Sequence, residues 1–318
     1  MKKRATGLFA SFLVCILLTL SDKSFAQDAS RIYIDPQGWA FGIDFGMSDM
    51  WGNVGTKTII DHYTNSNAFN LPCFIGGFLG RYTIHPCLAL KFQLNVGALY
   101  ATDEWNFDLA KKATSQGDDG YQRYARKQDA KDYIGEVACM FEYSPFRTNP
   151  ESRSAHRKGQ FYIGAGLGGF YFQPYATLGT SKQWVQTYDL DLEGQGWGNG
   201  YPKKYSLFQP CVPVDIGYKW DISNQVSLGV EVMYRFTFFG YLDGVSNFYV
   251  DSSAVISHLS PALASEALAI IDKSPLYKFA PNPPGTLRGI PSLKDGYSTI
   301  GFTLYFRDKR RVNEWWRH

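Results

Sequence analysis

Nine ionisable residues, Asp44, Arg81, Lys91, Glu136, Glu142, Asp215, Lys219, Glu231 and Arg235, stand in segments where they alternate with large apolar side chains. Four are cations and five are anions, a balance suited to mutual pairing if all nine face one confined space. Two uses of such a set are open. It is either a plug of ion pairs, in which each buried charge offsets another's desolvation, or a gated polar pathway. Catalysis has less support: the histidines His62, His85, His156, His258 and His318 are scattered, with no HExxH or GxSxG motif and no zinc-ligand spacing. No catalytic residue, metal or cofactor is therefore assigned. A His, Ser and Asp set drawn from separate loops would leave no local motif, which keeps an enzyme as the weaker reading. The run from Gly164 to Gly169, "GAGLGG", reads on paper like a nucleotide-binding turn, yet it lies inside an alternating segment with no helix after it.

Eight segments of period two must position these charges. In the first, Trp39, Phe41, Ile43 and Phe45 share one face, and Ala40, Gly42, Asp44 and Gly46 the other. The second sets Phe74, Phe78, Tyr82 and Ile84 against Arg81, with Ile75 and Leu79 interrupting the polar face. The third alternates cleanly: Leu90, Phe92, Leu94, Val96 and Tyr100 oppose Lys91, Gln93, Asn95 and Gly97. The fourth aligns Tyr133, Val137, Cys139, Phe141 and Tyr143 against Glu136 and Glu142, and the fifth, "QFYIGAGLGGFYF", is rich in glycine and aromatics. The sixth, "VPVDIGYKW", carries Asp215 and Lys219, and the seventh, "VSLGVEVMYRF", carries Glu231 and Arg235. The eighth, "STIGFTLYF", presents Ile300, Phe302, Leu304 and Phe306 on one side. Charged residues share their face with glycine, and large aromatics fill the other.

Export narrows the fold class. Lys2, Lys3 and Arg4 precede an apolar run from Leu8 to Leu20, and Ser24-Phe25-Ala26 supplies a cleavage site, the pattern of a secretory signal peptide. The apolar run is shorter than the roughly 20 residues a spanning helix needs. The division expected is a signal peptide at 1–26, a barrel at 27–306 and a tail at 307–318. Within residues 1–26, Lys2, Lys3, Arg4 and Lys23 against Asp22 account for the whole formal charge of +3, so net charge gives no support for nucleic-acid binding. Cys73, Cys87, Cys139 and Cys211 have no regular spacing and make no disulfide framework.

A soluble β-sandwich or lipocalin-like barrel would show the same period. Glycine and charge together on one face, against aromatics on the other, instead suit a narrow lumen and a lipid-facing exterior. The prediction is an all-β fold: an eight-stranded antiparallel transmembrane β-barrel in the outer membrane, with both termini periplasmic. Three short connections, "HPC", "DISNQ" and "SPFRTNPESRSAHRKG", read as periplasmic turns. Four long ones, near 48–73, 101–132, 173–211 and 237–296, read as extracellular loops. Eight strands enclose room for side chains or one small ligand, which disfavours an open pore.

The last long loop contains "LSPALASEALAIIDK", where Leu259, Leu263, Ala267, Ile270 and Ile271 fall near helical spacing. This helix either packs locally under its loop or meets a partner over the barrel mouth. Thr299, Gly301, Leu304 and Phe306 resemble the C-terminal recognition signal for barrel insertion. The tail beyond, "RDKRRVNEWWRH", holds Arg310, Arg311, Trp315 and Trp316. It is either an extended tail whose tryptophans touch the membrane interface or a docking segment, since Trp and Arg are favoured anchors at protein interfaces.

The segments "GLGGFYFQPYA", "LEGQGWGNGYPKKYSLFQPCVPVDIGYKW", "LGVEVMYRFTFFGYLDGVSNFYVD" and "RGIPSLKDGYSTIGFTLYF" resemble successive motifs of a Bacteroidota outer-membrane β-barrel family that includes the type IX secretion protein PorG. The resemblance implies a non-enzymatic barrel acting as an accessory or anchoring subunit of a larger envelope machine, in type IX secretion or outer-membrane protein biogenesis. The partners it implies are outer-membrane lipid and type IX ring components or assembly machinery, with no nucleic acid. A narrow channel or small-ligand-binding barrel is the alternative. One departure stands out: Gly240 and Gly244 flank Tyr241-Leu242-Asp243 where family members commonly carry acids, which weakens any acid-borne binding role.

Overall fold

Inward and outward residues separate because consecutive strands pair edge to edge until the last meets the first. The computed structural model describes residues 37–55, 73–147, 158–181, 183–198, 200–223 and 225–307. The signal peptide at 1–26 and residues 308–318, including Arg310, Arg311, Trp315 and Trp316, lie outside this range. The strands are β1 (Gly38–Trp51), β2 (Phe74–His85), β3 (Leu88–Thr102), β4 (Asp129–Tyr143), β5 (Gly159–Thr177), β6 (Trp184–Gln186), β7 (Phe208–Asp221), β8 (Val226–Thr237) and β9 (Gly296–Arg307). All pairings are antiparallel, in the order β4-β3-β2-β1-β9-β8-β7-β5, and β5 returns to β4. The result is a closed eight-stranded barrel, with short β6 added to the edge of β5 at one rim. Closure between β1 and β9 runs from Ala40 opposite Arg307 to Trp51 opposite Gly296.

The polarity of this barrel is the reverse of a water-soluble one. Phe41, Phe45, Phe78, Phe141, Leu167 and Phe302 are each more than half exposed on the outer surface, whereas Lys91, Glu136, Glu142 and Arg235 are buried inside. An apolar band of this extent suits hydrocarbon surroundings. Aromatic girdles flank it. At the short-turn end, Trp39 packs on Phe41, Tyr82 and Phe92 with ring centroids 5.7, 5.2 and 6.1 Å apart, and Tyr218 meets Trp220 at 4.5 Å. At the other end Trp51 meets Tyr234, and Tyr133 meets Tyr175. From Trp39 to Trp51, about 12 steps of ~3.4 Å at a tilt of ~40° cover roughly 30 Å, the thickness of a bilayer core.

β1–β2, β3–β4, β5–β7 and β8–β9 connect at one end by long segments, while only two residues, Pro86-Cys87, join β2 to β3 and four residues separate β7 from β8 at the other. The strands run further toward the long-loop end than alternation suggests: β3 reaches Thr102, β4 begins at Asp129 and β5 reaches Thr177. The reason is packing. Leu99, Ala101, Ala130, Ile134, Phe170 and Phe172 face inward there and form an apolar cluster with Met50, Trp105, Leu242 and Tyr297. Apolar residues on both faces erase period two without ending the strand.

The helical stretch expected in the last loop is one helix, Pro261–Ile271, which starts after Leu259 and is preceded by a second helix, Ser252–His258. Ala264, Ala267, Ile270 and Ile271 pack on Ala176, Leu190, Leu192 and Tyr249, so the buried face is used locally. Two further helices, Phe107–Lys112 and Asp119–Arg126, lie between β3 and β4 where the sequence shows no apolar periodicity. The expected boundary at 307 shifts by one: Arg307 is the last residue of β9, its amide donating to the Gln225 carbonyl at 2.8 Å.

Candidate functional site

The inward face of the barrel holds two tiers of paired charge. In the tier nearer the short turns, Arg81 on β2 stands directly opposite Lys91 on β3, a like-charge pairing that would repel. Glu142 on β4 separates them, accepting from Arg81 Nε at 2.5 Å through Oε2 and lying 3.3 Å from Lys91 Nζ through Oε1. Lys91 Nζ also pairs with Glu231 of β8 at 2.7 Å and with Asp215 of β7. Tyr162 of β5 donates to Glu231 Oε2 at 2.7 Å. Glu142, Asp215 and Glu231 bring three carboxylate oxygens within 4.8 Å of one another, a grouping that could hold a metal ion. The ammonium of Lys91 already occupies that role.

Glycines make the crowding feasible. A Cβ on Gly164 would lie 2.2 Å from Asp215 Oδ1, and one on Gly217 would lie 2.4 Å from the Tyr162 ring. The "GAGLGG" run is therefore strand β5 with space cleared for its neighbours' side chains, not a phosphate loop.

The second tier joins β4, β8 and β9. Arg235 donates to Glu136 from Nε at 2.9 Å and from Nη2 at 3.3 Å, and to Thr299 Oγ1 from Nη1 at 2.6 Å. Tyr297 donates to Glu136 Oε2 at 2.5 Å. Lys219, buried at 2% exposure, has its ammonium 5.8 Å from the Tyr305 ring centroid. Asp44 is half-buried, takes part in none of the described ion pairs, and its Oδ1 accepts no hydrogen bond. The structure thus brings together Arg81, Lys91, Glu142, Asp215 and Glu231 in one cluster and Glu136 with Arg235 in another. Tyr162, Tyr297 and Tyr305 complete these clusters, and sequence reasoning missed them. Their signal was position, since each lies on the small-residue face of its strand.

Residues 299, 301, 304 and 306 divide between the faces of β9. Thr299 and Gly301 point inward, Thr299 into the Arg235 pair, while Leu304 and Phe306 are on the outer face.

All four long connections are tied into a cap over the apolar cluster. Asn53, 1% exposed, is a hub: its carbonyl accepts from Arg123 and Arg126 at 2.6 and 2.7 Å, and its amide side chain bonds Val245 O and Ile290 N. Arg126 also grips both oxygens of Asp103 at 2.8 Å and donates to the Arg288 carbonyl at 2.6 Å. Burial works against the Arg126 charge, but Asp103 beside it more than offsets this and holds the guanidinium above its ordinary range. Arg288 in turn pairs with Glu193 at 3.0 Å, and Glu193 accepts the Ser246 and Asn247 amides at 2.9 and 2.7 Å.

No family model matches the chain, and no curated protein matches it in sequence. Among solved structures it is similar to Neisserial surface protein A (11% identity over 85% of this chain and 97% of that one, TM-score 0.35). It is also similar to the outer membrane protein OprG from Pseudomonas aeruginosa (9%, 87% and 100%, TM-score 0.36) and to Ail, the attachment invasion locus protein of Yersinia pestis (9%, 85% and 99%, TM-score 0.34).

Proposed function

We propose that this chain is a sealed outer-membrane barrel with no enzymatic role, serving to anchor or organise a larger envelope assembly. One observation carries the reading: Lys91, with no exposed surface, is paired to three carboxylates drawn from β4, β7 and β8 across the lumen. Buried charges are costly unless paired, and pairing across the bore commits Lys91, Glu142, Asp215 and Glu231 to one another rather than to a solute. The apolar cluster and loop cap above it add two further seals. In this orientation the long loops face outward, the tight turns and both termini face the periplasm, and the apolar exterior meets lipid. Polar residues on the inner face and lipid-facing aromatics support the outer membrane as the setting, where closed β-barrels span the bilayer.

The choice of assembly rests on the resemblance to the family that includes PorG, which favours type IX secretion ahead of barrel biogenesis. Partner contact is assigned to the periplasmic side, where the Arg310, Arg311, Trp315 and Trp316 segment follows β9. Because Arg307 belongs to the strand, the informative truncation ends at Arg307. Removing residues 308–318 is expected to leave the barrel folded and inserted but to lower recovery of co-purifying periplasmic proteins at least severalfold in a mild-detergent pull-down read by mass spectrometry. Unchanged recovery would remove the segment from the function, and a barrel that purifies alone under conditions preserving known complexes would remove the assembly reading.

The channel reading has a separate test. Purified protein in a planar bilayer is expected to show no steady single-channel current at 100 mV. A reproducible open level would sink the sealed barrel.

A further inference from the structure

The acids of the barrel and cap are not equally provided for. Glu136, Glu142, Asp215, Glu231, Asp103, Glu193 and Asp221 each face a named lysine or arginine. Asp132, Asp243 and Asp295 are equally buried, at 0%, 4% and 2% exposure, yet none of the described ion pairs includes them. Among the described residues, neither oxygen of Asp132 has a hydrogen-bond partner, and Oδ1 of Asp295 has none. The remaining oxygens are held by backbone amides: Asp243 accepts from Val54 at 2.7 Å and Val245 at 2.9 Å, and Asp295 from Leu242 at 2.8 Å.

Asp243 and Asp295 come together where the β1–β2 connection meets the two ends of the β8–β9 connection, with Asp132 of β4 nearby but outside direct ligand reach of both. A methyl on Gly52 would sit 2.4 Å from Asp243 Oδ2 and 2.9 Å from Asp295 Oδ1. The absent side chain there leaves both oxygens turned toward one space, near the reach of a single ion with bonds of about 2.4 Å. Asp132 is close enough for its charge to act on Asp295, and the charge of Asp243 acts on both. Three adjacent buried carboxylates without a cation cost far more than the amide hydrogen bonds return.

We infer that this cluster is a binding site for one hard divalent cation, of the Ca²⁺ class, that fastens the loop cap to the barrel. Asp243 and Asp295 would ligate directly. Among the described residues only Glu142, Asp215 and Glu231 place three ligand oxygens within 4.8 Å, so Asp132 joins through water or after a small shift. All-oxygen, carboxylate-rich ligation is the chemistry of Ca²⁺ rather than of zinc or copper. In the orientation proposed above, the site lies on the outer side, where millimolar Ca²⁺ is ordinary for extracellular modules. The inference does not depend on the barrel having any particular partner.

The test uses the full mature chain in detergent, stripped with EDTA, and reads thermal unfolding by tryptophan fluorescence as Ca²⁺ alone is added to 10 mM at pH 7.5. The expected result is a rise of about 5 °C, the scale of mass action on a sub-millimolar site. Asp295→Asn and Asp132→Asn should each remove that rise. Both variants should fold, since an amide relieves the repulsion, and in EDTA they should melt no lower than the native chain. Asp118→Asn, at a half-buried loop acid outside the cluster, should keep the full response. No Ca²⁺ effect, or the same rise in all three variants, overturns the inference. Burial raises the Asp243 carboxyl to about 6, so the stability its protonated form contributes is lost as pH rises from about 3.8 to about 6. Recovery of stability on acidification to pH 5 with no response to Ca²⁺ would assign the neutralisation to protons and also overturn the cation site.

Discussion

Replacing Lys91 with methionine is expected to cost about 3–5 kcal/mol and to leave little folded barrel at moderate urea, because breaking a buried charge network strands what remains. Methionine fills nearly the same volume, so packing is preserved and the electrostatic loss is isolated. Glu142 keeps Arg81, and Glu231 keeps the Tyr162 hydroxyl, but Asp215 loses its described ion pair inside the lumen. A second change, Asp215→Asn in the Lys91→Met background, should therefore recover part of the loss. Urea titration of the refolded protein, followed by the heat-dependent gel shift of folded barrels, measures both. A Lys91→Met midpoint equal to the native one would mean that the lumen is wet enough to solvate these acids, and the sealed plug would be wrong.

The second large effect belongs to the cap. Arg126→Leu removes four hydrogen bonds, two to Asp103 and one each to the carbonyls of Asn53 and Arg288. About 3 kcal/mol of local stability should be lost, because Asp103 stays buried without its cation. Since each 1.4 kcal/mol is tenfold, the opened population of the loops rises about 100-fold, and limited proteolysis should cut the β3–β4 and β8–β9 connections faster by that factor. The barrel itself should keep its urea midpoint within about 1 kcal/mol, as its own ion pairs are untouched. Equal loss of midpoint and loop protection would mean that cap and barrel unfold as one unit.

What the sequence made legible follows the period of its side chains. Lys91 among Leu90, Phe92, Leu94 and Val96 could face only one way in a strand, and the same held for Glu231 and Arg235. The closed ring and the inward charges were therefore readable. Which acid met which base was not, because pairing across the bore depends on the stagger of strands that contact one another only around the ring. Asp44 shows the limit: its face was readable, but not that it would stand outside the described ion pairs. The upper lumen was hidden for another reason, since Leu99, Phe170 and Phe172 face inward as large apolar residues and cancel the alternation. The cap was hidden altogether. Arg126, Asn53 and Arg288 come from loops without a period, and only the fold brings them together.

The lumen network also bears on how the chain reaches its membrane. Lys91 lies 124 residues from Asp215 and 140 from Glu231, so its ammonium cannot be neutralised by either until strands from both halves of the chain stand in one ring. A partly assembled sheet of the first four strands offers Lys91 only Glu142, which it shares with Arg81, so the network stays incomplete at a cost of several kcal/mol. Release of a half-closed sheet into the bilayer is thereby disfavoured, because the Lys91 network is complete only in the closed ring. Closing the ring and neutralising the buried lysine are thus one event.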